Sequence, residues 1–222
     1  MATSADNESA SRMVRTRLRD QILRGELPPG TRLRDRVLSA EHEVSRNSVR
    51  EALRLLVSDG LVTLTVNSGA AVRVLTTEDV ADIYAARRLL EFGGIRASSR
   101  ASDAELAEID VAADTGIRQR AQKRWQQTGT ASLEFHAAVV ALAGSERVNH
   151  FFAALAAQLR LAFAIMPDEA EFQALWVDRD RVIADLLLAG RRDAAEAELM
   201  AYLADSEAAI VDAVRGAAIA RP

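Results

Sequence analysis

Three arginines in the run RNSVREALRLL, residues 46–56, carry the most specific chemical pattern in this chain of 222 residues. Arg46, Arg50 and Arg54 are spaced i, i+4, i+8, so on a helix they ride one face, with Asn47 beside the first. Val49, Ala52, Leu53 and Leu56 recur at i, i+3, i+4, i+7 and form an apolar stripe on another face. A short helix packed on one side and bearing guanidinium groups on the other suits the major groove of DNA. There arginine bonds guanine edges bidentately or neutralises phosphate. The same spacing also describes a solvated Arg/Glu face in which Glu51 pairs with Arg54, and the flanking elements decide between the two.

Those elements form a compact head. Val14, Leu18 and Ile22 give the stripe of a first helix that Gly25 ends, after a polar segment, residues 1–11, expected to be a disordered tail. ELPPGTRL, residues 26–33, makes a turn, because Pro28-Pro29-Gly30 cannot continue a helix. A second helix is expected from Asp35 to His42, burying Val37 and Leu38, followed by the arginine helix with Ser45 as N-cap and Gly60 as its stop. VTLTV-NSG-AAVRV then alternates as two strands around a glycine-containing turn. Three helices plus a β-hairpin make a winged helix-turn-helix, spanning residues 12–75.

From residue 76 to 222 the pattern is helical, rich in Leu, Ala and Arg, with no proline before Pro167. Six or seven helices are expected, near 77–101, 103–123, 130–143, 146–165, 169–189 and 191–217, with one break at Thr128-Gly129. The fold class is therefore mainly α, a winged head followed by an antiparallel helical bundle large enough to enclose a cavity. The net charge of −4 is unevenly spread: through Leu75 there are 12 Arg against 9 acids, and from Thr76 onward 16 basic residues against 23 acids. A mildly basic head on an acidic body fits a nucleic-acid-binding module joined to something else. The absence of cysteine excludes disulfides and thiolate metal sites. No apolar leader or membrane span is evident, so a soluble cytoplasmic protein with no membrane partner is expected.

LRDQILRGELPPGTRL (residues 18–33), VSRNSVREALRLLVSDGLV (44–62) and NSGAAV (67–72) resemble the DNA-binding head of the GntR family of bacterial transcription regulators. RRLLE (87–91), EFHAAVVALAG (134–144) and RVIADLLLAGRRDAAEAELMAYL (181–203) resemble the FadR-type effector domain, called FCD. The resemblance implies a homodimer that binds an inverted-repeat operator on double-stranded DNA, most often as a repressor, and that answers to a small-molecule effector. DNA contacts carried over by position are Arg36, Ser45, Arg46, Asn47, Ser48, Arg50 and Gly69. Both serines could cap the helix or bond phosphate, and Gly69 would let the wing backbone come close. Arg54, one turn deeper, is expected to be solvated or ion-paired. The chain departs from the family at Glu43, where a glycine is usual, at Ser68, where a basic residue is common, and at His42, in an apolar position. A positive φ at Glu43 would cost of order 1 kcal/mol.

Many FadR-type domains hold a divalent metal with one Asp and three His. The corresponding positions here are Ser132, His136, Asp180 and Tyr202, so only His136 and one plausible carboxylate remain, and no metal or other cofactor is expected. With Arg87, these four side chains are expected to meet at one inward locus suited to a small polar or carboxylated metabolite. The bland alternative is a self-satisfied cluster with Arg87 paired to Asp180. Phe151, Phe152, Phe163 and Trp176 read as core. An enzyme using His136 as base and Asp180 as its orienter lacks a nucleophile motif, a phosphate loop or a full metal set, so no catalytic residue is assigned. An architectural DNA-binding dimer without effector is the other reading.

Overall fold

The computed structural model describes residues 4–65, 69–166 and 168–219. Among these, nine α-helices and a three-stranded antiparallel sheet fall into two units that divide between Val74 and Leu75.

The first unit holds α1 (Ser4–Leu23), β1 (Arg32–Leu33), α2 (Asp35–Glu41), α3 (Arg46–Ser58), β2 (Val62–Thr65) and β3 (Gly69–Val72). Residues 4–11, expected to be disordered, are the first turns of α1. Their polar composition denies them an apolar face, not a helix: the segment has no Gly or Pro, Glu8 pairs with Arg12 one turn on, and Ser11 Oγ bonds the Glu8 carbonyl. α1 packs on α3, and the apolar stripes Val14, Leu18 and Ile22 of α1 and Val49, Leu53 and Leu56 of α3 are all nearly sealed from solvent. Arg15 clamps Asp59 with two 2.9 Å hydrogen bonds, tying α1 to the end of α3. In α2 only Leu38 is buried. Val37, expected beside it in the core, is 55% exposed because a helix of seven residues has one narrow inward stripe.

Ser45 caps α3, its Oγ accepting the Ser48 backbone N–H at 3.1 Å, and Gly60 leaves the helix at φ 73°. The hairpin pairs as expected, Val62 with Val72 and Thr65 with Gly69, while its turn, residues 66–68 including Ser68, lies outside the described residues. The strand β1, which adds to the far side of β3 through Arg32–Ala71 and Leu33–Ala70, was read only as part of a turn. Two residues are too few to show alternation. Glu43 does hold a positive φ of 54°.

The second unit is helical throughout: α4 (Thr77–Ala97), α5 (Asp103–Ala121), α6 (Trp125–Ala141), α7 (Glu146–Phe163), α8 (Glu169–Leu188) and α9 (Arg192–Ile219), with a single 3₁₀ turn at Ser98–Arg100. Thr76 with Asp79 and Ser102 with Glu105 form reciprocal capping boxes at the starts of α4 and α5. The break expected at Thr128-Gly129 is absent. The chain turns earlier, at Lys123 with φ 57°, and α6 runs through Gly129, where a Cβ would sit 2.6 Å from Gln173 Nε2. Glycine is there for close approach and not to end the helix. Phe151 also departs from expectation: it is 54% exposed, whereas Phe152, Phe163 and Trp176 are buried.

α4 crosses α6 closely: a Cβ on Gly94 would stand 2.0 Å from the Val139 carbonyl oxygen. Because backbone, not a flexible side chain, occupies that space, Gly94→Ala is expected to destabilise the helical unit by about 3 kcal/mol, the upper part of the range for overpacking. Urea unfolding followed by circular dichroism checks this; an unchanged midpoint would mean that the two helices slide apart freely.

Candidate functional site

In the head, the capped start of α3 and the start of α2 bring the predicted cations together. Arg46 and Arg50 extend from successive turns of α3, each a little over half exposed, and both reach one carboxylate. Arg46 Nη2 donates to Asp35 Oδ2 and Oδ1 at 3.0 and 3.2 Å, and Arg50 Nε donates to Oδ2 at 3.0 Å. These bonds, that from Arg46 foremost, hold the Asp35 carboxyl below the usual range, so it is ionised. Arg36 and Asn47 are exposed beside them. A concavity of about 530 Å³ is lined by Arg32, Arg34, Asp35, Arg36, Arg50 and Gly69, among others. Gly69 keeps φ 80° with open space where a Cβ would lie, so backbone conformation rather than crowding demands glycine.

One expected contact is placed differently, and Arg54 stands as expected. Ser48 is 2% exposed and its hydroxyl meets Ser45 Oγ at 2.8 Å, so it is engaged at the helix cap. Arg54 pairs with Glu51 at 3.3 Å, as its deeper position suggested. Asp35 was missed. Its signal was available: an acid at the start of the helix that precedes an arginine row.

In the helical unit, Arg87, Ser132, His136, Asp180 and Tyr202 do converge, all buried. Their hub is a residue that was passed over. Glu91, one helical turn after Arg87 and fully buried, accepts Arg87 Nε at 2.8 Å through Oε1 and meets His136 Nδ1 at 2.7 Å through Oε2. Arg87 is thus paired with Glu91 and not with Asp180. His136 Nε2 stands 3.4 Å from Asp180 Oδ1, close but not aligned as a hydrogen bond, and both atoms, with Arg87 Nη2, are buried without a hydrogen-bond partner among the described residues. Ser132 Oγ and Tyr202 OH lie 3.3 Å apart, and the Tyr202 ring packs edge-on to His136 and against Trp176. Gln173, Trp176 and Asp180 fall at i, i+3, i+7 on α8, and each carries a buried polar atom without a partner there. Of the three, sequence alone places Trp176 in the core and Asp180 at the effector locus, and it passes over Gln173. Trp176 also borders a cavity of about 680 Å³ with Ile165, Phe172, Leu175, Ala209 and Ala213.

Charge follows from burial and pairing. Burial alone would depress the His136 imidazole, yet Glu91 raises it on balance. Burial pushes Glu91 up, but Arg87 and then His136 hold it below the ordinary carboxylate range. Tyr202, buried and near Asp180, is pushed well above 10 and stays a neutral phenol. The four positions that the family resemblance sets as metal ligands, Ser132, His136, Asp180 and Tyr202, therefore offer one imidazole, one carboxylate and two neutral hydroxyls bonded to each other. That donor set does not fit zinc or nickel.

The raised imidazole predicts a pH dependence. Its contribution to stability is fully present below about pH 6.5, its unfolded value, and is lost as pH rises through the higher folded value. Glu91 works oppositely, present above about 4.5 and lost as pH falls through its depressed folded value. The melting temperature is expected to decline on the alkaline side in the wild type and to lose that decline in His136→Gln. Thermal scans from acid to alkaline buffer test it; parallel curves for the two proteins would refute the assignment.

Comparison with known proteins agrees with both halves. Residues 10–72 match the gntR family of bacterial regulatory proteins and residues 82–205 match the FCD domain. The chain belongs to the GntR family, in the FadR-like group that joins a helix-turn-helix to an FCD domain. It is 30% identical over 192 residues to the Nta operon transcriptional regulator of Aminobacter aminovorans, covering 85% of this chain and 89% of that one. A solved structure of a GntR transcriptional regulator from Rhodococcus sp. RHA1 superposes with a TM-score of 0.86 at 35% identity, over 92% of this chain and 98% of that one. Over 74 residues, 33% of this chain and 30% of the other, it is 43% identical to the gluconate operon transcriptional repressor of Bacillus subtilis. Such relatives are regulators of transcription and not enzymes. Among the described residues no helix is long and apolar enough to cross a membrane.

Proposed function

We propose that this protein is a ligand-responsive transcriptional repressor that binds an inverted repeat as a homodimer and changes its DNA affinity when a small carboxylated metabolite enters the helical unit. Arg36, Ser45, Arg46, Asn47, Arg50 and Gly69 form the DNA-contacting set, and Arg87, Ser132, His136, Asp180 and Tyr202 the effector-contacting set. The observation that carries the effector half is a group of sealed polar atoms that make no aligned hydrogen bond among the described residues: Arg87 Nη2, and His136 Nε2 and Asp180 Oδ1, which face each other at 3.4 Å. Buried polar groups are almost always satisfied, so several together point to an outside partner. The unengaged Nη2 donor of the Arg87 guanidinium suits an anion such as a carboxylate, and the donor set leaves the response independent of metal.

A panel of small mono- and dicarboxylic acids, screened by thermal shift with and without EDTA, tests this. A binding acid is expected to raise the melting temperature equally in both conditions and to shift the protein's mobility-shift titration on its operator. A second reading has its own support: Glu91 pairs with both Arg87 and His136, so the cluster is in part self-satisfied, as an effector-free architectural dimer would need. A panel that moves neither the melting curve nor the DNA titration favours that reading.

A further inference from the structure

We propose that Asp35 is a specificity-determining residue of the DNA interface, which holds Arg46 and Arg50 in fixed register for base edges and restrains them from binding phosphate indiscriminately. The arginines around the concavity are of two kinds. Arg32, Arg34 and Arg36 form no side-chain ion pair or hydrogen bond among the described residues, while Arg46 and Arg50 converge on a single carboxylate at the first residue of α2. The two arginines come from successive turns of α3 and share Asp35 Oδ2 at 3.0 Å each, so one acid sets the spacing of both.

The donors that remain matter. Arg50 is held through Nε, which leaves both terminal nitrogens projecting as a fork, the geometry that matches guanine O6 and N7. Arg46 is held through Nη2 and keeps Nε and Nη1. A tethered guanidinium has already given up rotamer freedom that a free one must surrender on binding. The carboxylate also opposes an approaching phosphate, which acts against every sequence alike, whereas a correct base edge offers acceptors that the held forks can meet. Arg32, Arg34 and Arg36, with no acid attached, are left to the phosphate backbone, where contacts position the protein without reading sequence.

A duplex selected by the wild-type protein from a random-sequence library, and a scrambled version of it, are the probes. Binding to both is measured by fluorescence anisotropy over a range of salt concentrations. Asp35→Asn is expected to weaken binding to the selected duplex about tenfold or more and to leave the scrambled duplex bound as well as before or better. Its salt slope on scrambled DNA should steepen by about 2, one counterion for each arginine freed. Asp35→Glu should restore most of the discrimination. Arg34→Ala should weaken both duplexes by the same factor and flatten the slope by about 1. If Asp35→Asn does not fold by circular dichroism, Asp35→Ser, which removes the same charge, gives the same readings. A selected-to-scrambled ratio that stays unchanged without the carboxylate overturns the proposal, as does an equal loss on both duplexes with the slope unmoved.

Discussion

Replacing Glu91 with glutamine is expected to destabilise the helical unit by about 3–5 kcal/mol, because it strips the counter-charge from a guanidinium that has no route to water. Arg87 and Glu91 are 3% and 0% exposed, and His136, on the second carboxylate oxygen, is 1% exposed. An amide can still accept one hydrogen bond, so the predicted loss is of charge and not of shape. At roughly 2–4 °C per kcal/mol for a protein of this size, the melting temperature should fall by roughly 6–20 °C. Breaking a buried pair from one side is far worse than removing it whole, so Arg87→Met with Glu91→Leu is expected to recover most of that stability. Thermal unfolding of the two variants separates the cases. A Glu91→Gln protein that melts with the wild type would mean that water reaches the cluster, and would remove the desolvated charges on which the effector reading depends. The double variant, stable but without Arg87, should no longer respond to any acid that shifts the parent.

What could be read from the residues, and what could not, divides along a physical line. Apolar periodicity and caps are local, so α3, its Ser45 cap, the Gly60 stop and the hairpin follow from a few consecutive residues. Convergence of Arg87, Ser132, His136, Asp180 and Tyr202 followed from the family resemblance, which supplies the register of helices far apart in sequence. Neither source reports how a polar side chain is satisfied once buried. Glu91 was quoted within the Arg87–Glu91 motif yet not recognised as the group that balances both Arg87 and His136, because its partner His136 is 45 residues away. Asp35 was missed for the same reason: its link to Arg46 and Arg50 spans the turn between two helices. Gly129 shows the converse error. A glycine in sequence marks either a helix break or a close approach, and only the position of Gln173 and Arg160 decides which.

Arg46→Ala and Arg50→Ala are each expected to remove most sequence-specific binding while leaving the fold intact. Both side chains are more than half exposed, so each should change stability by no more than about 0.5 kcal/mol. Their shared ion pair with Asp35 adds little, as surface pairs contribute about 0–1 kcal/mol. Against DNA the effect is larger: a guanidinium on a base edge contributes about 1–3 kcal/mol of discrimination, so the double variant should lose about 3–5 kcal/mol on its selected duplex. The manner of loss assigns each role. An arginine that reads a base lowers affinity for the selected duplex alone, whereas one on phosphate lowers affinity for every duplex and flattens the salt dependence. Arg54→Ala, one turn deeper and paired with Glu51, serves as the control on the same helix and should bind like the wild type. Anisotropy titrations of the four variants and the wild type on selected and scrambled duplexes decide the matter. If both arginine variants hold the selected duplex as tightly as the wild type, α3 does not enter the groove by this face, and another surface of the head must carry the reading.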